Sequence, residues 1–163
     1  YMFRDPRELV ISGYYAATLT HRYTNRETER YREQLREMPF DEGLLDLIYH
    51  GERRLRDMAT WVDVEDPDVA KFRLEDVSAD PAEYVPQMLE HCGVSLSPAE
   101  LDAVLGDVSR DSLQTKDLAQ RKNGNESHYR VKPKSFRDLF KPQHYEAIEE
   151  LVPGLAGRLG YPD

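Results

Sequence analysis

The chain has 163 residues, enough for one domain or part of a larger one; Leu, Ile, Val and Phe supply 37 of them, above the roughly 20% floor below which charged chains stay disordered. No apolar run approaches the roughly 18 residues that span a bilayer, and the opening Tyr1-Met2-Phe3-Arg4 is no basic-then-apolar leader. A net charge of −9 argues against generic nucleic-acid binding, and the single cysteine, Cys92, excludes a disulfide framework and a multi-cysteine metal site, so a cytoplasmic protein is expected.

Tyr1-Met2-Phe3 reads as the end of a strand, and Asp5-Pro6 as a helix start with Asp5 as cap and Pro6 at the first helical position. That helix is expected to run through Leu9, Val10, Gly13, Tyr14 and Ala17 to about Thr20. Asn25 to Glu37 is charged throughout and reads as a solvated helix or a mobile excursion. Asp41 is expected to cap one helix carrying Leu44, Leu45, Ile48, Leu55, Met58 and Trp61 at helical spacing. Val64 to Asp68 is an acidic turn. Val69 to Leu74 alternates and predicts a strand stopped by Glu75-Asp76. Asp80-Pro81 and Ser97-Pro98 repeat the cap-then-proline pattern and predict helices over 81–92 and 98–105, with Pro86 pushing the start of the first a turn later. Ser109 to Ser135 shows little periodicity, and Asn123-Gly124-Asn125 marks a loop. Pro142 opens a last helix with Tyr145, Ile148 and Leu151-Val152 on one side.

Two strands separated by a long helical stretch predict an α/β fold with a parallel sheet, mostly helical in this region. Two strands alone do not make a sheet covered on both faces. Residues 1–163 are therefore expected to be the C-terminal portion of a single α/β domain whose remaining strands precede Tyr1.

Charge is unevenly spread. Residues 61–120 carry 4 basic and 14 acidic side chains, whereas 121–141 carry 7 basic and 2 acidic ones. A cationic segment in an acidic protein suggests a local anion site, or neutralisation of a nearby acidic surface. The start of the chain offers a second anion-binding pattern. An Arg at the C-terminal end of a parallel strand lies where open α/β sheets bind ligands. The next helix offers free N–H groups and a positive dipole end. Arg4 supplies a planar fork and Ser12 a rotatable donor, although eight residues along a helix span about 12 Å. Physical reasoning alone favours the plainer account, an Arg–Asp helix cap and a serine tolerated in a helix.

The stretch Arg4-Asp5-Pro6, with Ser12 eight residues after Arg4 and Tyr14-Tyr15 just beyond, resembles the 3′-phosphate-binding motif of sulfotransferases that use 3′-phosphoadenosine-5′-phosphosulfate. The resemblance continues in order through Phe72-Arg73-Leu74-Glu75-Asp76-Val77, the turn Cys92-Gly93-Val94 and the helix from Leu96, to Arg158-Leu159-Gly160-Tyr161. It implies a P-loop-like three-layer domain and transfer of a sulfuryl group to an acceptor hydroxyl or amine on a small molecule or glycan. Ligand spacing, net charge and the lack of a long apolar run add the expectation of no metal, no nucleic acid and no membrane span, and homo-oligomerisation stays open. Arg4, Ser12, Arg130, Val131 and Lys132 are the implied cofactor-binding residues. Arg130 stands for the Lys of the family's Arg-Lys-Gly loop, Phe136 for its Trp and Arg137 for its following Lys. Both loop glycines are replaced, by Val131 and Lys134, which restricts the backbone. Leu74 stands where a Tyr usually touches adenine, and Arg110 where a Phe is usual.

The family's phosphosulfate loop and catalytic base lie upstream of Arg-Asp-Pro, so the catalytic residues of this chain are not identified. His21 and His50 match no catalytic position, and His91, His128 and His144 lack partners at metal-ligand spacing. Two other readings stay open: a helical interaction module on a sulfotransferase framework that has lost catalysis, and a P-loop nucleotide-kinase-like phosphotransferase.

Overall fold

A computed structural model describes residues 1–20, 25–120 and 134–162. They are mostly helical, with one small parallel sheet. In chain order, β1 (Met2–Phe3) precedes α1 (Pro6–Tyr15), which continues into a π-helical turn, Ala16–Thr20. Next come α2 (Arg26–Glu37), α3 (Phe40–His50), α4 (Glu52–Val62) and β2 (Phe72–Arg73). Then follow α5 (Leu74–Ala79), α6 (Pro81–His91), α7 (Pro98–Asp107) and α8 (Arg110–Gln120). The last elements are α9 (Phe136–Leu139), α10 (Pro142–Leu151) and α11 (Leu155–Arg158). Among the described residues no helix is long and apolar enough to cross a membrane.

These residues fall into two compact units: 1–4 with 64–120, and 5–20 and 25–63 with 134–162. In the first, β1 and β2 run parallel, with Met2 opposite Phe72 and Phe3 opposite Arg73. The Tyr1 nitrogen donates to the Ala70 carbonyl at 2.6 Å, and the Phe72 N–H to the Tyr1 carbonyl at 2.9 Å. The predicted strand over Val69 to Leu74 is thus only two residues long, and Leu74 starts a helix. A strand persists only where it has a partner, and Glu75 and Asp76 suit the positive end of a helix. Asp80 and Ser97 accept N–H groups from Glu83 and Glu100 as caps, as their sequence pattern predicts. Pro86 does not delay α6, which starts at Pro81 and carries the proline in its interior. At the C-terminus of α6, Gly93 takes φ +69°, and the Val94 N–H reaches the Leu89 carbonyl at 2.8 Å. This 6→1 bond needs a left-handed residue, which is why the turn has a glycine. The weakly periodic stretch after Ser109 also departs from expectation: α8 forms there, and the Ser109 hydroxyl accepts the Ser112 N–H at 3.3 Å.

The second unit holds the core. Val10, Ile11 and Tyr14 of α1, Leu35 of α2, Leu44 and Ile48 of α3, and Leu55 and Met58 of α4 are buried. Ala147, Ile148 and Leu151 of α10, followed by Val152, are buried too, as are Leu155 and Leu159. Helix α3 packs on both α1 and α10. Gly43 permits a close approach, because a Cβ there would lie 3.2 Å from the Tyr14 ring. The single helix expected from Asp41 to Trp61 is two, broken at Gly51, where a Cβ would lie 2.9 Å from the Leu47 carbonyl. Asp41 is not a cap. Pro39 takes that position, and Asp41 sits in the first turn of α3, paired with Lys141. Trp61 is largely exposed rather than core. The charged segment after Asn25 is a regular helix, opened by a reciprocal cap in which Asn25 and Thr28 bond each other's backbone N–H.

Candidate functional site

Arg4 follows β1 at its C-terminal end. Its side chain is half-buried, and Nε lies 3.6 Å from Glu75 Oε1 at the start of α5, a loose ion pair. The Arg–Asp cap favoured on physical grounds is present, but its arginine is Arg7. Asp5 is buried and accepts the Arg7 N–H and Nε, each at 2.9 Å, on Oδ1, and Nη2 at 2.8 Å on Oδ2. Two parallel charge-assisted bonds and a backbone bond hold this carboxylate. With Pro6 at the first helical position, they fix the start of α1.

Ser12 lies on α1 and is half-buried, and its hydroxyl has no hydrogen-bond partner among the described residues. Tyr14, two residues on, is core: its ring meets Phe40 edge-on with centroids 4.9 Å apart, and burial, then Tyr15, pushes its hydroxyl pKa up. Arg130, Val131 and Lys132 lie outside the described residues, as do His21 and His128. The described end of the cationic segment is well anchored. Lys134 is exposed, Ser135 caps α9 by accepting the Arg137 N–H, and Phe136 is almost wholly buried. The Arg137 guanidinium lies 4.5 Å from the centre of the Phe136 ring, and that of Arg7 lies 4.3 Å from it. Leu74, at the adenine position implied by the resemblance, is half-buried at the first turn of α5.

The described histidines serve the fold. His144 is fully buried, with Nδ1 accepting the Lys141 N–H at 2.9 Å and Nε2 3.0 Å from the Asp41 carbonyl oxygen. That pattern fixes the neutral tautomer with its proton on Nε2. His50 stacks on Tyr31 with ring centroids 4.0 Å apart. His91 Nε2 lies 3.2 Å from the Ala70 nitrogen and 3.0 Å from the Asp68 oxygen, holding the acidic turn before β2. Among the described residues no group of three or more His, Cys, Asp or Glu side chains is placed to hold a metal ion.

Sequence reasoning passed over Arg7 and Glu8. Arg7 could have been found from Asp5-x-Arg7, which places a guanidinium beside its own helix cap. Glu8 has no such local signal, because its partners, Ser135 and Phe136, lie far along the chain.

The model of the sulfotransferase domain matches residues 1–158. The chain belongs to that family. No curated protein and no solved structure matches it. In this sulfotransferase domain the strand end, the Asp5-capped helix start and the Gly93 turn are all formed.

Proposed function

We propose that this sulfotransferase domain uses 3′-phosphoadenosine-5′-phosphosulfate as donor and transfers its sulfuryl group to a hydroxyl or amine of a small molecule or glycan in the cytoplasm. The carrying observation is the junction at Asp5-Pro6. There a strand end is followed by a capped helix that bears Ser12, whose hydroxyl has no hydrogen-bond partner among the described residues. The donor chemistry suits the nucleotide's 3′-phosphate. A guanidinium fork and a rotatable hydroxyl match the oxygens of a phosphate monoester. Arg4 and Ser12 are assigned to that group, with Arg130, the Val131 N–H and Lys132 supplementing them from the cationic segment.

The nucleotide supplies the activated sulfuryl group. This chain's residues bind and orient the 3′-phosphate end of the nucleotide, and the charge that builds on the leaving 5′-phosphate falls to the loop that holds the phosphosulfate. The two short paired strands support further strands of the same domain preceding Tyr1, and the family resemblance implies that the phosphosulfate loop and the catalytic base precede it as well.

The test is nucleotide binding to the full-length protein. At one hundred times its dissociation constant, 3′-phosphoadenosine-5′-phosphate is expected to stabilise the protein by about 2.7 kcal/mol, read as a thermal shift. Arg4→Ala should weaken that nucleotide by about one to two decades, since a bond to an ionised group contributes roughly 1.5–3 kcal/mol. Binding of adenosine 5′-phosphate, which lacks only the 3′-phosphate, should barely change. Equal losses for both nucleotides would assign Arg4 to the fold through Glu75.

A further inference from the structure

Arginine binds a carboxylate and a phosphate with the same planar fork, so a carboxylate beside a phosphate-binding arginine helps set how tightly the phosphate is held. Two guanidinium–carboxylate pairs near the start of the chain differ in this respect. Arg7 and Asp5 meet through side-chain bonds of 2.9 and 2.8 Å, with side chains only 5% and 7% exposed. Arg4 and Glu75 face each other at 3.6 Å, Nε to Oε1, with side chains 32% and 40% exposed. A buried two-pronged pair is not surrendered to a ligand, because parting it leaves an uncompensated buried charge. A long, solvated pair is weak and exchangeable.

The strand register accounts for Glu75 standing there. Phe3 pairs with Arg73 at the ends of two parallel strands, so Arg4 and Leu74 are each the first residue beyond the ladder. Glu75 comes next, in the first turn of α5. A phosphate oxygen hydrogen-bonded to the Arg4 guanidinium then lies within roughly 9 Å of the Glu75 carboxylate, the sum of the ion-pair gap, one guanidinium and one charge-assisted bond. Across that distance, in a half-exposed setting between water and protein interior, like charges weaken binding about two- to fivefold per phosphate charge. Salt reduces the effect, since the Debye length is about 8 Å at physiological ionic strength.

We propose that Glu75 is the affinity-setting counter-charge of Arg4: it pairs loosely with that guanidinium and opposes the 3′-phosphate that binds there. Sulfuryl transfer leaves the 3′-phosphate in place, so donor and spent nucleotide present the same group to Arg4. A carboxylate that weakens this shared contact keeps the spent nucleotide exchangeable. The proposal rests on the nucleotide reading above. Its measure is 3′-phosphate selectivity, the ratio of the dissociation constants for adenosine 5′-phosphate and 3′-phosphoadenosine-5′-phosphate, determined by calorimetry on the full-length protein.

Glu75→Gln removes the charge but keeps the length of the side chain, and should raise the ratio about threefold or more at roughly 0.01 M salt. Glu75→Ala should raise it as well, which separates the lost charge from any bond made by the new amide. Both gains should shrink toward nothing at roughly 1 M salt, where the Debye length is about 3 Å. Each variant is measured below its own melting temperature. A ratio that either variant leaves unchanged or lowers at low salt overturns the proposal, and a fall in both would make Glu75 the group that orients Arg4. A gain that persists undiminished at high salt is no charge effect and overturns it too. In each of these cases a wild-type preference for the 3′-phosphorylated nucleotide that is lost in Arg4→Ala keeps the nucleotide reading. A wild-type protein without that preference overturns the nucleotide reading and this proposal with it.

Discussion

The unit of β1, β2 and α5 to α8 and the unit built on α1 are both largely helical, yet they are held together differently. All the buried side chains among the described residues belong to the second. The first relies on local devices: capping at Asp80, a reciprocal capping box between Ser97 and Glu100, the left-handed Gly93 turn and a two-residue ladder. It also leaves Val94, Leu96, Val104, Val108 and Leu118 substantially exposed, on a stretch whose net charge over 61–120 is −10 (4 basic against 14 acidic). Helices this short are marginal in water without tertiary burial. Caps and turns specify where a helix begins and ends, but a buried apolar face is what keeps it folded.

The largest expected effect tests where the stability lies. Leu44→Ala or Leu155→Ala, at fully buried positions, should destabilise the protein by about 2–5 kcal/mol in urea denaturation. Val104→Ala, on the exposed stretch, should stay within about 0.5 kcal/mol. A comparable loss at Val104 would show that the rest of the protein covers this face, and the contrast between the units would fail.

Alkaline unfolding sharpens the same contrast. Burial, reinforced by Asp46, pushes the Tyr31 hydroxyl well above the usual tyrosine range, and burial pushes Tyr14 up as well. Both folded pKa values exceed those of the unfolded chain, so their contribution is constant below about pH 10 and is lost as pH rises through the folded values. Tyr31→Phe should flatten the fall of melting temperature above pH 10. The Tyr31 hydroxyl is buried without a well-formed hydrogen bond, so at neutral pH the substitution should be nearly neutral or slightly stabilising. Tyr84→Phe, in the first unit, where the shift comes mainly from the charge of Glu83, should leave the alkaline limb as it is.

A smaller effect is expected at the caps. Ser97→Ala should cost about 1 kcal/mol, seen as faster amide exchange in the first turn of α7. Hydrogen bonds from Ser97 hold the Glu100 carboxyl below its ordinary value. In the same variant an NMR titration should find that pKa moved back up.

The features legible in the sequence were those whose cause is local. Asp5-Pro6, Asp80-Pro81 and Ser97-Pro98 each place a cap and a proline within two residues, and each opens a helix where expected. What failed depended on a partner. Residues 69–71 alternate as a strand would, but a ladder ends where its neighbour ends, and β1 is only Met2–Phe3. Asp41 has the right chemistry for a cap, yet Pro39 starts the helix and Lys141, a hundred residues away, takes the carboxylate. The candidate site divides in the same way. The Asp5-Pro6 helix start is local and was readable, whereas Arg4 and Ser12 enter only through the family resemblance and the cap's arginine, Arg7, was passed over. The clamp from Glu8 to Ser135 joins residues 127 apart, and no local pattern announces it.

The π-helical turn after α1 has a consequence for how α2 is attached. A wider turn leaves its carbonyls poorly matched to helical N–H groups, and here two arginines of α2 fill the deficit. Arg32 Nε donates to the Ala17 carbonyl at 2.6 Å and Arg36 Nε to that of Thr18 at 2.8 Å. Helix α2 is otherwise highly charged, with Leu35 its one buried apolar residue, so these bonds carry much of its docking. They join a cation to a neutral dipole at contact distance, with Arg32 itself buried. Mobile ions screen separated surface charges far more than such contacts. Electrolyte that loosens the exposed i,i+4 pairs of α4 should therefore leave α2 seated, and lysine, whose point charge lacks the planar Nε–H, is a poor substitute at either position.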